Sequence, residues 1–236
     1  MRAIGIIPAR MASTRFPGKP LTLIAGRPML QHVWRAACYA KELDAVYVAT
    51  DSPAIIKACG EWGAKVVWTS PLCKNGTERV NEAAMLLKLQ DDDLAINIQG
   101  DEPLIHADAI DALVRAFDDP MVEIASLYFK PADSSFISDR HRVKVLVNAA
   151  GDAVSFSRSV HQAHLWRAYG QHIGVYAYRR DILAKLARLP VNPSLEQGAW
   201  MDAGYKIRMV ETAWETAAVD SPEDIAKVEK LLSAVS

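Results

Sequence analysis

Between Arg10 and Arg27 the chain carries Arg10, Arg15, Lys19 and Arg27 and no acidic residue, although the 236-residue sequence holds 27 basic against 28 acidic side chains, a net charge of −1. A cationic loop in a nearly neutral protein suits a small polyanion rather than nucleic acid or an anionic membrane. Gly18 lets the backbone approach a ligand, and Ser13 and Thr14 add hydroxyl donors. The loop follows an apolar run, and parallel α/β sheets bind ligands beyond the carboxyl ends of their strands. Basic residues mixed with glycine, proline and small polar residues are what phosphate contact needs. The familiar phosphate motifs do not fit: Gly18 and Lys19 are followed by Pro20 instead of Ser or Thr, Ser13 stands where a P-loop has its first glycine, and no GxGxxG follows Ile7. The expected grip on a triphosphate is of another kind.

A second constellation, Gln99, Gly100, Asp101, Glu102 and Pro103, follows another apolar run. A carboxylate beside bound phosphates can hold Mg²⁺, which keeps several waters and needs only one or two protein ligands, so Asp101 is the expected metal ligand. Glu102 reads equally well as a solvated turn acid. Asp220, before the last helix, is either a further ligand or part of that helix's cap. Asn75, Gly76, Thr77 and Arg79 are suited to hydrogen-bonding a base edge. The six histidines are scattered; His32, inside a helical pattern, is expected to be structural. No Ser/His/Asp triad is legible, which suits a reaction driven by positioning and electrostatics.

Positioning these residues requires a scaffold. Half the residues are hydrophobic, enough for one large α/β domain over residues 1–236. Candidate strands at Ala3 to Pro8, Ala45 to Thr50, Lys65 to Thr69 and Leu94 to Gln99 alternate with helical patterns near Met29 to Ala40, Ala54 to Trp62, Glu78 to Leu89 and Asp108 to Phe117. That alternation predicts a Rossmann-like, mainly parallel sheet with helices on both faces. Asp51 or Ser52 can cap the second helix, with Pro53 in its first turn. From Val122 to Tyr178 the rhythm changes: β-like runs at Val122 to Phe129, Arg142 to Val147 and His172 to Tyr178 suggest a β-rich excursion from the core. Ser221 to Asp224 open a closing helix with Ile225, Val228, Leu231 and Leu232 on one face. Cys38, Cys59 and Cys73 lack disulfide or zinc spacing and are expected as core thiols of a cytoplasmic protein. No apolar run is long enough for a signal peptide or a membrane span.

Four blocks in order resemble the CMP-Kdo synthetases, the 3-deoxy-manno-octulosonate cytidylyltransferases: IIPARMASTRFPGKPL (Ile6 to Leu21), QGDEP (Gln99 to Pro103), HIGVYAY (His172 to Tyr178) and VDSPED (Val219 to Asp224). The resemblance implies transfer of CMP from CTP to the anomeric hydroxyl of 3-deoxy-manno-octulosonate (Kdo), releasing pyrophosphate, in a homodimer built partly through the excursion. It would place Arg10, Ser13, Arg15 and Lys19 on the triphosphate, Asn75, Gly76, Arg79 and Gln99 around cytosine and ribose, and Pro8 and Ala9 also against the nucleotide. Asp101 and Asp220 would carry Mg²⁺. Arg158, His172, Tyr176, Glu196 and Gln197 would face the sugar acid. Arg10, Lys19 and Asp101 would be the catalytic group. The chain departs from the pattern at Val160 to Gln162, at Gln171 where arginine is common, before Glu196, and at Asn75 where serine is usual. Most of these departures fall in the sugar half, so 8-amino-Kdo, another 2-keto-3-deoxy acid or a small phosphonate stands as an alternative acceptor. A non-catalytic CTP-sensing module is the alternative of another class.

Overall fold

The four leading apolar runs form the parallel half of one sheet in the computed structural model, which describes residues 1–12, 16–160, 163–190 and 195–235. In chain order the elements are β1 (Ala3–Ala9), β2 (Leu23–Ile24), β3 (Arg27–Pro28), α1 (Met29–Tyr39), β4 (Ala45–Thr50), α2 (Pro53–Trp62), β5 (Lys65–Trp68), α3 (Gly76–Leu86), β6 (Leu94–Ile98) and α4 (Ala107–Arg115). Then follow β7 (Ile124–Phe129), α5 (Ser135–Ser138), β8 (Lys144–Val147), β9 (Ala153–Ser157), β10 (Tyr169–Arg179), α6 (Arg180–Leu186), α7 (Glu196–Asp202), β11 (Arg208–Thr212) and α8 (Asp224–Val235). The sheet runs β11-β7-β10-β6-β1-β4-β5. Along this path β10 alone opposes the common direction, pairing antiparallel with both β6 and β7. β2 and β3 form a separate small hairpin.

β1 shows why the sheet lies in the middle. Its residues are apolar almost without interruption because both faces are covered, as expected of a parallel strand. Successive side chains point to opposite faces. Accordingly Ala3, Ile7 and Ala9 pack with Leu30, Val33 and Ala37 of α1 and with Ile55 of α2, while Ile4 and Ile6 pack with Val80, Ala83 and Ala84 of α3 and with Leu183 of α6. Burying each isoleucine contributes about 1.5–3 kcal/mol. At Gly5 an added Cβ would lie 2.9 Å from the Leu43 Cδ1, so a larger residue requires that side chain to shift.

Local signals explain the helix ends. Ser52, not Asp51, caps α2, its hydroxyl accepting the Ile55 N–H at 3.4 Å, and Pro53 occupies the first turn. Asp51 instead faces Arg79 at 3.4 Å. Before α8, Asp224 accepts the Asp220 and Ser221 N–H groups at 2.9 and 2.8 Å, which closes the cap. His32 has the structural part expected of it, bonding the Ile24 carbonyl at 2.8 Å and so tying α1 to the small hairpin.

The β-rich excursion is narrower than the sequence suggests. β7 and β10 belong to the main sheet, and only β8 and β9 leave its path, paired with the start of β10. β10 starts at Tyr169, three residues before the predicted His172, because Tyr169, Gly170 and Gln171 pair with β8. Its register shifts between Ile173 and Tyr176, a bulge that carries Gly174. Cys59 is buried as expected, but Cys38 is exposed and Cys73 half-buried, its thiol 2.9 Å from Glu82. None of the described helices is long and apolar enough to cross a membrane.

Candidate active site

The carboxyl ends of β1 and β6 and the start of α3 enclose a cleft of about 200 Å³, lined by Pro8, Ala9, Arg10, Lys19, Asn75, Gly76, Arg79, Gln99 and Asp101 among others. Ser13 and Arg15 lie outside the described residues. Gly18 takes the left-handed conformation (φ 76°) that turns the loop into Lys19. The Lys19 ammonium then spans the site: it donates to Asp101 Oδ2 at 2.7 Å and to the Val219 carbonyl at 2.8 Å. Val219 N–H in turn donates to the Asp101 carbonyl at 2.9 Å, joining the loop after β6 to the segment before α8.

At the other wall, the Asn75 side-chain oxygen accepts the Glu78 N–H at 2.7 Å and caps α3. That oxygen is therefore engaged in the cap. Gly76 is held small by Gln99 and Pro8: an added Cβ would sit 3.1 Å from Gln99 Nε2 and 3.6 Å from the proline ring. Arg79 is buried, donating to Thr69 Oγ1 at 2.6 Å with Asp51 at 3.4 Å. A buried guanidinium needs such partners, and they hold it rigidly at the cleft.

A second cleft of about 360 Å³ adjoins the first and shares Gln99 and Asp101 with it. Its further walls include Glu102, Arg158, His172, Tyr176, Glu196, Gln197 and Asp220. Glu102 is buried, not the solvated turn acid it resembles in sequence. Burial, then the neighbouring charges of Asp101 and Asp220, push its carboxyl up to about 8. These charges place three carboxyl groups within electrostatic reach of one another. Among the described residues no three His, Cys, Asp or Glu side chains form a metal cluster, and a donor set of Asp101 and Asp220 fits a hard cation that fills its sphere with phosphate oxygens and water.

The family described as Cytidylyltransferase matches residues 4–212. The chain is 43% identical to the 3-deoxy-manno-octulosonate cytidylyltransferase of Myxococcus xanthus, over 99% of this chain and 97% of that one. It is 41% identical to the 8-amino-3,8-dideoxy-manno-octulosonate cytidylyltransferase of Shewanella frigidimarina, over 99% of each. The chain belongs to the cytidylyltransferase family. A solved structure of CMP:2-keto-3-deoxy-manno-octonic acid synthetase complexed with CTP superimposes with a TM-score of 0.90 over all of both chains at 37% identity.

In this cytidylyltransferase the second cleft differs in detail from what its sequence predicts. Arg158 is exposed, and its guanidinium bonds the Arg140 and His141 carbonyls at 3.3 and 3.4 Å. Buried Lys144 fixes that corner by donating to the Asp139 carbonyl and, at 3.0 Å, to the Arg158 carbonyl. A second cation, Arg142, enters the wall unannounced. It donates to buried Gln171 Oε1 at 3.0 Å, and Gln171 donates onward to the Thr216 carbonyl at 3.4 Å. His172 is buried at the wall of the cleft, and burial draws its pKa down to about 3, so the ring is neutral. Its partners are Ser126 Oγ at 2.9 Å and, more loosely, Gln197 Nε2 at 3.5 Å. Gln197 also donates to the Tyr176 hydroxyl. Glu196 is half-buried between this cleft and a small cavity beside Thr77 and Trp200, and burial raises its pKa.

Sequence reasoning missed Ser126, Arg142 and the full weight of Glu102. Ser126 had a signal, as the one small polar residue in the apolar strand IASLYF. Arg142 had none, because its neighbours His141 and Val143 give no hint that the guanidinium turns toward β10.

Proposed function

We propose that this cytidylyltransferase transfers CMP from CTP to the anomeric hydroxyl of Kdo, releasing pyrophosphate. The observation that carries the reading is the sharing of Gln99 and Asp101 by the two clefts, so that a nucleotide in one and an acceptor in the other would meet at Asp101. The full-length relatives and the CTP-bound structural neighbour support the substrate pair.

In the reaction the acceptor's hydroxyl oxygen attacks the α-phosphorus of CTP, the bond from that phosphorus to the bridging oxygen breaks, and the hydroxyl proton passes to solvent. Arg10, Ser13, Arg15 and Lys19 hold the phosphates in the cleft that Pro8 and Ala9 also line, and the basic side chains offset the charge that gathers on the departing pyrophosphate. Asn75, Gly76, Arg79 and Gln99 contact the nucleoside. Arg158 pairs with the acceptor carboxylate, while Tyr176, Glu196 and Gln197 bond its hydroxyls with His172 holding Gln197 from behind, groups that an apolar acceptor would leave without that partner. Asp101 and Asp220 would hold Mg²⁺, which when bound polarises phosphate oxygens and lowers the pKa of an attacking hydroxyl. Most of the rate comes from aligning nucleophile and phosphorus.

The 41% identity to an 8-amino-Kdo enzyme favours that amino sugar as the second acceptor to test. A coupled pyrophosphate assay with CTP, Mg²⁺ and each acid separates the two, and rapid turnover of a neutral alcohol with neither acid used contradicts both. We further infer a homodimer formed partly through β8 and β9, where Val154 and, just beyond, Leu165 are exposed, and a cytoplasmic location; sedimentation velocity checks the first.

A further inference from the structure

Four elements converge on the His172 ring: Ser126 from β7, Phe156 from β9 at 5.0 Å edge-on, Gln197 from α7, and Tyr176 farther along β10. Such a buried ring is neutral, so one nitrogen donates and the other accepts. The bulge in β10 decides which. Ser126 Oγ lies 2.9 Å from the Val175 carbonyl and 3.4 Å from the Ile173 carbonyl, at the place where the register shifts. Carbonyl oxygens only accept, so the serine proton goes to them. The serine oxygen is left to accept from His172 Nε2, 2.9 Å away. Nδ1 then carries a lone pair and faces the Gln197 amide nitrogen.

We propose that Ser126 is a positioning residue for the acceptor cleft: it fixes His172 as the Nε2–H tautomer, and the ring in turn sets the Gln197 amide with its NH₂ toward His172 and Tyr176. The Gln197 carbonyl oxygen then accepts from the acceptor, and the Tyr176 oxygen, already accepting from Gln197, keeps its proton to donate. One donor beside one acceptor matches a neutral hydroxyl, which both gives and takes a hydrogen bond; an ammonium or a methylene at that point does not. This inference rests on the hydroxylated keto-acid acceptor proposed above, and Ser126 contacts neither substrate.

Nitrogen NMR of ¹⁵N-histidine-labelled full-length protein, with His172 assigned by its loss in His172→Gln, reads the tautomer without any acceptor. Wild type should show a protonated Nε2 and a bare Nδ1 at neutral pH. Ser126→Ala should move both signals toward the other tautomer, raise the acceptor KM or lower its kcat by about tenfold, and leave the CTP KM within about twofold. Ser126→Cys, a weak acceptor of similar size, should recover part of both effects. A wild-type Nδ1–H or imidazolium signal overturns the proposal. So does a folded Ser126→Ala protein with unchanged tautomer and acceptor kinetics, or one whose CTP and acceptor constants worsen equally. Wild type that turns over no keto-acid contradicts the acceptor reading and the cleft's hydroxyl with it, while the nitrogen signals still decide the Ser126–His172 step.

Discussion

Lys19 holds Asp101 and the Val219 carbonyl at once, so one ammonium joins the cationic loop, the loop after β6 and the segment leading to Asp220. Lys19→Ala and Asp101→Asn should each lower kcat by about 10²- to 10³-fold with little change in melting temperature; near-normal turnover by either folded variant removes that residue from the mechanism. His172 makes a prediction of a different sort. Its folded pKa is about 3 against 6.5 for a free ring, so the unfolded chain binds a proton that the folded chain refuses. The associated stability is whole above about pH 6.5 and is lost as pH falls toward 3, amounting to about 2 kcal/mol by pH 5. Urea unfolding at pH 7 and pH 5 should show His172→Gln losing about that much less than wild type, and equal losses would mean the ring is already charged. At this scale the sequence was most legible where residue types were unusual together, as in the basic loop and QGDEP. Partnerships were not legible, since Arg142 with Gln171 and Ser126 with His172 join residues 29 and 46 apart.

Among the elements, α3 forms one wall of the first cleft with its first turn. Asn75 caps it, Gly76 lets Gln99 approach, and Arg79 stands one turn in, so the helix start fixes three candidate residues together. Asn75→Ala should cost about 1 kcal/mol of stability and weaken CTP binding, whereas Asn75→Ser, an equivalent cap, should retain both. Urea titration with CTP-induced thermal shift checks this; an alanine variant with unaltered CTP response would detach the cap from the site. The leading strands and helices were legible because buried apolar runs and helical periodicity are local signals. Strands such as β9 and β11 were not, since both are short and their sequences, AVSFS and RMVET, mix polar with apolar residues without a continuous buried run. β10 was half legible: its first residues pair with β8, a contact no periodicity reports.

Across the whole molecule, one mixed sheet brings the ends of β1 and β6 against the bulge of β10, and the two clefts meet there. The parallel half supplies the walls of the first cleft from short local segments. The acceptor wall draws on β10, α7, the corner around Arg158 and the segment before α8, which is why its residues were nameable from ordered blocks but their geometry was not. Because the nucleotide cleft includes a rigid Arg79 and Gln99, CTP should raise the melting temperature well above what ATP does at equal concentration, and equal shifts would contradict a cytosine-selective wall. The most direct test of the account is product formation by purified protein given CTP, Mg²⁺ and Kdo, followed by pyrophosphate release and mass spectrometry. Wild type should give CMP-Kdo and pyrophosphate in equal amounts and Asp101→Asn almost none; CTP binding with no pyrophosphate released in the presence of any keto-acid would rule out nucleotidyl transfer to this class of acceptor.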